Sequence, residues 1–163
     1  MCFSSSDPAD PRLIQNLSAR PSYEVQQLSL DEYGRPLNPR GRTGLCGRGK
    51  LYMWGPNHAA DPLVTREKSG EFQVILIKRG DTGSWALPGG MVDAGEEPRV
   101  TAAREFSEEA LAHTDEQSKI KCDQLIRKMF HSDQPQCIYS GYIDDPRNTD
   151  NAVRTHSHCT VLL

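Results

Sequence analysis

Two kinds of apolar spacing follow one another along the chain. Residues 72–79 are rich in β-formers and nearly continuous in apolar side chains, the pattern of a central strand covered on both faces. A shorter strand is predicted over residues 63–66, and residues 80–83 read as a hairpin turn. The chain returns as a strand over 85–87, which Pro88, Gly89 and Gly90 end. From Pro98 the spacing becomes helical. Proline suits the first turn of a helix, where its missing N–H costs nothing, and nothing breaks a helix over 100–112. Val100, Ala103, Phe106 and Ala110 fall on one face, with Leu111 beside it. A second helix is expected at about 116–130, where Cys122, Leu125, Ile126, Met129 and Phe130 repeat at helical spacing. That stripe reads as core and implies no cofactor. Residues 137–143 predict another strand and residues 144–151 a polar turn.

Composition narrows the class. The 163 residues suffice for one domain with an appendage. A net charge of −3 gives no general drive toward nucleic acid or an acidic membrane, and no apolar run reaches the roughly 18 residues of a membrane span. The five cysteines are odd in number and irregularly spaced, as expected of reduced intracellular thiols. The N-terminal segment lacks the apolar region of a secretory signal and carries Asp7 and Asp10, unlike a mitochondrial leader. Cys2 rules out myristoylation, and Cys159 stands one residue too early for prenylation. A cytoplasmic location is therefore expected, with a mitochondrial one as the alternative. Residues 1–22 read as a flexible arm.

The polar face of the first helix changes the picture. Glu105, Glu108 and Glu109 stand at i, i+3 and i+4, so their carboxylates share a helix surface. Repulsion among them is relieved by a hard divalent cation. Magnesium fits, because it takes oxygen ligands and usually holds one or two carboxylates, waters and substrate phosphates; manganese is the alternative. Arg104 is the nearest cation in sequence, placed to pair with Glu96 and fix the preceding loop against the helix. The bland reading of such a helix is a solvated acidic face.

A resemblance weighs against it. Gly90 is followed after five residues by Glu96, and after seven more by Arg104, Glu105, Phe106, Glu108 and Glu109. This pattern resembles the Nudix box, the loop-helix-loop signature of hydrolases acting on nucleoside diphosphates linked to another group. Every charged position is present over residues 90–112. Leu111 departs from the family pattern, which has glycine there. Residues 41–44, 54–62, 85–93 and 144–151 further resemble the ADP-ribose pyrophosphatase branch of animal mitochondria, and the related Nudix-like domain of ADP-ribose-gated melastatin-type channels.

The resemblance implies an α/β fold, an α/β/α sandwich with a mixed sheet. It implies a small substrate-side region over 23–62, a Nudix domain over 63–152, and magnesium-dependent hydrolysis of ADP-ribose to AMP and ribose 5-phosphate. No nucleic-acid, membrane or obligate protein partner is inferred. Two alternatives stand beside the enzyme: a module that binds ADP-ribose without turning it over, and an inactive truncated form. The candidate catalytic residues are Glu109, Arg104 and Glu96, and the metal ligands are Glu105, Glu108 and Glu109. Substrate binding is assigned to Gly89 and Gly90, and to Trp54, Arg147 and Asp150, which sit in polar turns where binding residues gather. Trp54 reads as exposed. The glycine-rich basic stretch 35–50, with Arg40, Arg42 and Arg48, reads either as a phosphate-approaching loop or as an ordinary connector. A disordered nucleic-acid tail is disfavoured there, since no aromatics interleave with the charge. His58 reads as a hydrogen-bonded loop histidine. Residues 153–163 depart from the family and read as a divergent, unstructured tail, leaving the sheet incomplete at that end.

Overall fold

A computed structural model describes residues 28–111, 115–130 and 136–162. The chain divides into two units, one of Met1–His58 with Ser140–His156, the other of Ala59–Tyr139 with Ser157–Leu163. The strands are β1 (Gly55–Lys68), β2 (Glu71–Val74), β3 (Ile77–Lys78), β4 (Trp85–Ala86), β5 (Gly90–Met91), β6 (Gln136–Tyr142) and β7 (Ala152–Leu162). The helices are α1 (Pro98–Ala110) and α2 (Glu116–Phe130). Five strands form one sheet in the order β2-β1-β7-β6, with β5 also paired to β1, while β3 and β4 pair separately. The combination of a sheet with helices is the α/β class expected. No helix among the described residues is long and apolar enough to cross a membrane.

In the second unit the core joins helices to sheet. Ala102 and Phe106 of α1, Met129 and Phe130 of α2, and Ala60, Val64 and Val161 of the sheet form one buried cluster. The rings of Phe106 and Phe130 lie 6.0 Å apart, tilted by 46°. The helix starts as proline allows, with Glu97 extended before Pro98. Leu111 ends it in an extended conformation at φ −112°, which needs no glycine, and packs against the cluster. The buried face is centred on Thr101, Ala102 and Phe106. Val100, expected inside, is exposed, because the helix is rotated to bring Thr101 beneath the preceding loop.

The first unit is held differently. Asn38 donates to the Thr149 carbonyl at 3.0 Å, Asn151 to the Pro36 carbonyl at 2.9 Å, and Thr149 to the Gly47 carbonyl at 2.6 Å. Gly47 N–H donates in turn to the Asn151 side chain at 3.0 Å. Buried amides and a hydroxyl thus satisfy loop backbone that would otherwise be stranded away from water.

Of the α2 stripe expected in the core, Met129 and Phe130 are buried, Cys122 and Ile126 half-buried, and Leu125 exposed. Three expectations about strands also fail. The apolar run 72–79 is not a central buried strand. Its first part is β2, an edge strand exposed along its whole length, joined to the exposed end of β1 by Ser69 (φ 57°) and Gly70 (φ 80°). Two successive positive φ angles make the tight turn that fits strand twist, and it carries both strand ends beyond the core. The short strand at 63–66 is part of a 14-residue strand, masked in sequence by Pro56 and Pro62, residues scarce within strands. His58 accordingly lies on β1 and contacts the Thr155 hydroxyl. Finally, residues 152–162 are not an unstructured tail: they form β7, placed between β1 and β6 in the sheet order. Val153, Thr155, Thr160 and Val161 supply the β-branched side chains such a strand favours.

Candidate active site

The site in the second unit begins with backbone that at Gly89 only glycine fits. A Cβ at Gly89 would lie 2.7 Å from Asp61 Cγ and 2.8 Å from the Ala60 carbonyl. A Cβ at Gly90 would lie 2.6 Å from Glu105 Oε2. Without side chains, residues 89–90 lie against β1 on one side and against α1 on the other; Gly90 pairs with Ala60. Gly89 N–H donates to Glu109 Oε2 at 2.9 Å.

Arg104 ties the next loop to the same helix. Its Nη2 and Nε donate to Glu96 at 3.1 and 3.3 Å, its Nη1 donates to Glu105 Oε1 at 2.7 Å, and Nη2 also reaches the Met91 carbonyl at 3.4 Å. The Thr101 hydroxyl donates to Glu96 Oε2 at 2.6 Å. Hydrogen bonds from Arg104, then from Thr101, hold the Glu96 carboxyl down at about 2. The same partnership with Glu96 raises the Arg104 guanidinium above its ordinary value. Glu96 and Arg104 therefore form a permanent ion pair at neutral pH.

The three glutamates of α1 differ in their freedom. Glu105 turns toward Arg104 and Gly90, Glu109 reaches Gly89, and Glu108 is exposed with its Oε2 3.9 Å from Arg104. Among the described residues, Glu105 Oε2, Glu109 Oε1 and both oxygens of Glu108 take no hydrogen bond. Their unused lone pairs and hard oxygen chemistry fit a divalent cation. The three carboxylates do not close into a cage of oxygens all within 4.8 Å of one another.

Beside Glu109 lies a cleft of about 390 Å³, lined otherwise by Ile77, Lys78, Arg79, Gly80 and Asp81. Arg79 grips Asp81 through two bonds of 3.0 and 2.8 Å, and that grip holds the Asp81 carboxyl at about 2. The sequence pattern did not single out Lys78, Arg79, Thr101 or Asp61. Thr101 carries no motif signal, and Asp61 is distant in sequence from the glycines it approaches.

The remaining candidates belong to the first unit. Trp54 is 2% exposed, not open as expected: turn residues surround it in sequence, but a large apolar ring is buried where it can be. Asp150 is 6% exposed and accepts from Thr43 N–H at 2.6 Å, Thr43 Oγ1 at 3.0 Å, Gly44 N–H at 2.9 Å and Arg42 Nε at 3.3 Å. Burial raises its pKa, but the hydrogen bonds from Thr43 and Gly44 outweigh that and hold the carboxyl below its ordinary range. Asp150 is thus the anchor of the 42–44 loop. Arg147 grips Asp145 through bonds of 2.8 and 2.6 Å. Arg40 lies over the Tyr142 ring at 5.4 Å.

Comparison with known proteins now bears on this arrangement. The NUDIX domain matches residues 56–140, more than half of the chain. The chain belongs to the NUDIX domain family. Residues 7–55 match the NUDT9-like, N-terminal domain. The NUDIX chain is 50% identical over 155 residues to the mitochondrial ADP-ribose pyrophosphatase of Rattus norvegicus, covering 85% of this chain and 42% of that one. It is also 50% identical over 135 residues to the putative nudix hydrolase 6 of Caenorhabditis elegans, covering 82% and 48%. A transient receptor potential cation channel subfamily M member-like 2 of Nematostella vectensis is 47% identical over 132 residues, covering 73% of this chain and 8% of the channel. The chain spans about half the length of the first two relatives.

Proposed function

We propose that this chain hydrolyses the pyrophosphate bond of ADP-ribose to AMP and ribose 5-phosphate, using a divalent cation, magnesium before manganese. The observation that supports it most is the set of hydrogen-bond-free oxygens on Glu105, Glu108 and Glu109, on a helix locked to its loop by Glu96 and Arg104. The choice of ADP-ribose follows the rat relative, which shares half of the aligned residues and bears that substrate in its name.

Glu105, Glu108 and Glu109 would hold the metal. With no closed cage among them, room would be left for water and substrate phosphate beside the metal, as magnesium sites usually allow. When bound, it polarises a phosphoryl oxygen and lowers the pKa of water. The chain's own residues do the rest. Gly89 and Gly90 bring backbone close to the site, where side chains would block approach. Glu109 has one oxygen anchored by Gly89 N–H, leaving Oε1 to accept the proton of the attacking water. Water oxygen bonds to phosphorus, the bridging P–O bond breaks, and the departing phosphate carries the bond's electrons. Arg104 and Glu96 position the loop and helix for that step.

Trp54, Arg147 and Asp150 are kept as substrate-side candidates, with the role of Asp150 revised: it shapes the 42–44 loop, which presents exposed Arg42; Trp54 is buried and so would act through packing. The name of the rat relative favours the mitochondrial alternative over the cytoplasmic one, and cell fractionation tests that. The reaction is tested by following AMP release from ADP-ribose with magnesium and with EDTA. Loss of release in EDTA is expected, and undiminished release would overturn the proposal.

A further inference from the structure

The β3–β4 hairpin forms one side of the cleft that Glu109 closes. It is a short antiparallel pair, with Arg79 N–H donating to Ser84 and Gly83 N–H back to Arg79 at 2.9 and 2.8 Å. Its register sets Lys78 directly opposite Trp85, so both side chains stand on one face of the hairpin, within reach of each other. Trp85 is 69% exposed. Two cations line the cleft, and they are not equivalent. Arg79 is neutralised by its two bonds to Asp81, whereas Lys78 makes no ion pair or side-chain hydrogen bond among the described residues. The cleft thus offers the Lys78 ammonium and, on its wall, the carboxylate of the proposed base, while the exposed indole of Trp85 stands opposite Lys78 on the hairpin, next to the lining rather than in it. Its volume of about 390 Å³ falls in the range of small-molecule sites.

The geometry points to Lys78 and Trp85 as a nucleotide subsite: the ammonium meets a phosphate oxygen of the substrate and the indole stacks on its purine. This rests on the proposed reaction, for it is the pyrophosphate held near Glu109 that brings a nucleoside to the hairpin. An indole face stacks on any base, and a lysine serves phosphate as a point charge without the geometric demand of arginine. Both are specificity residues; neither touches the bond that breaks.

The test uses the full chain and the variants Trp85→Ala, Trp85→Phe, Lys78→Gln and Lys78→Arg, with Phe72→Ala as a control for removing an exposed aromatic elsewhere in the same unit. Calorimetry measures binding of AMP and of ribose 5-phosphate, and steady-state hydrolysis of ADP-ribose separates KM from kcat. Loss of a stacking face should weaken AMP and raise KM about tenfold, with ribose 5-phosphate unaffected and kcat nearly unchanged. Phe at 85 should restore most of the loss. Lys78→Gln should weaken AMP severalfold, and Arg should restore it. Unchanged AMP affinity in both Trp85→Ala and Lys78→Gln overturns the subsite, as does an equal loss for the two ligands or no AMP binding by the unsubstituted chain. AMP binding that depends on Trp85 without any ADP-ribose turnover would instead count against the proposed reaction and leave the subsite standing.

Discussion

At the scale of single residues, the site is organised by which carboxylate oxygens are already used. Glu96 spends its carboxyl on Arg104 and Thr101, while Glu109 spends one oxygen on Gly89 and keeps the other. Glu109→Gln preserves the acceptor for Gly89 but removes the proposed base and a proposed metal ligand, so kcat should fall by ~10²-fold or more with little change in the melting temperature. Glu96→Gln should lower activity less, because it loosens position and leaves the base intact; a larger loss would move Glu96 into the chemistry. The sign of its pH dependence follows from its depressed pKa. A carboxyl held at about 2, against 4.5 ordinarily, stabilises the fold fully above 4.5 and loses that contribution as pH falls toward 2. The melting temperature of the parent chain minus that of Glu96→Gln should therefore be constant from pH 5 to 7 and shrink in acid. A difference that grew on acidification would contradict the assignment. The charged positions at this scale were legible in sequence through their resemblance to the Nudix box, which joined Glu96, Arg104 and the glutamates. Thr101 and Asp61 were not, because their contacts depend on how the helix is rotated and on which strand runs beside the glycines.

At the scale of elements, both described helices fall where periodicity places them. Period fixes a helix better than it fixes its rotation: Ala102 and Phe106 face the core while Val100 faces solvent. Phe106→Ala should cost ~3–5 kcal/mol of stability in a denaturant melt, the range for a large buried aromatic, and Val100→Ala should stay within about 0.5 kcal/mol, as surface changes do. Equal effects at the two positions would mean the helix is turned as the bare pattern suggested. Strands were read less well. The apolar content of 72–79 signalled burial but not that the run breaks into two short strands, and prolines at 56 and 62 hid the length of β1. In the C-terminal stretch, departure from the family pattern suggests loss of structure, whereas its β-branched residues Val153, Thr155, Thr160 and Val161 favour the strand observed.

At the scale of the whole molecule, the sheet has β2 and β6 at the two ends of its order, and both carry exposed apolar side chains: Phe72 at 77% and Val74 at 46% on β2, Ile138 at 54% and Tyr139 at 42% on β6. Edge strands of that composition favour association with other chains. The double variant Phe72→Lys, Ile138→Lys should raise the concentration at which the protein stays monodisperse in light scattering, without altering ADP-ribose turnover. Unchanged association would place its cause elsewhere. The central claim is that the glutamates of α1 form a hydrolytic centre. Its most direct measurement is AMP release from ADP-ribose by the purified chain with magnesium, run beside Glu109→Gln. The account predicts release by the parent chain that chelation abolishes and the variant nearly lacks. Equal release by parent and variant, or no release by a parent chain that binds ADP-ribose, would contradict it.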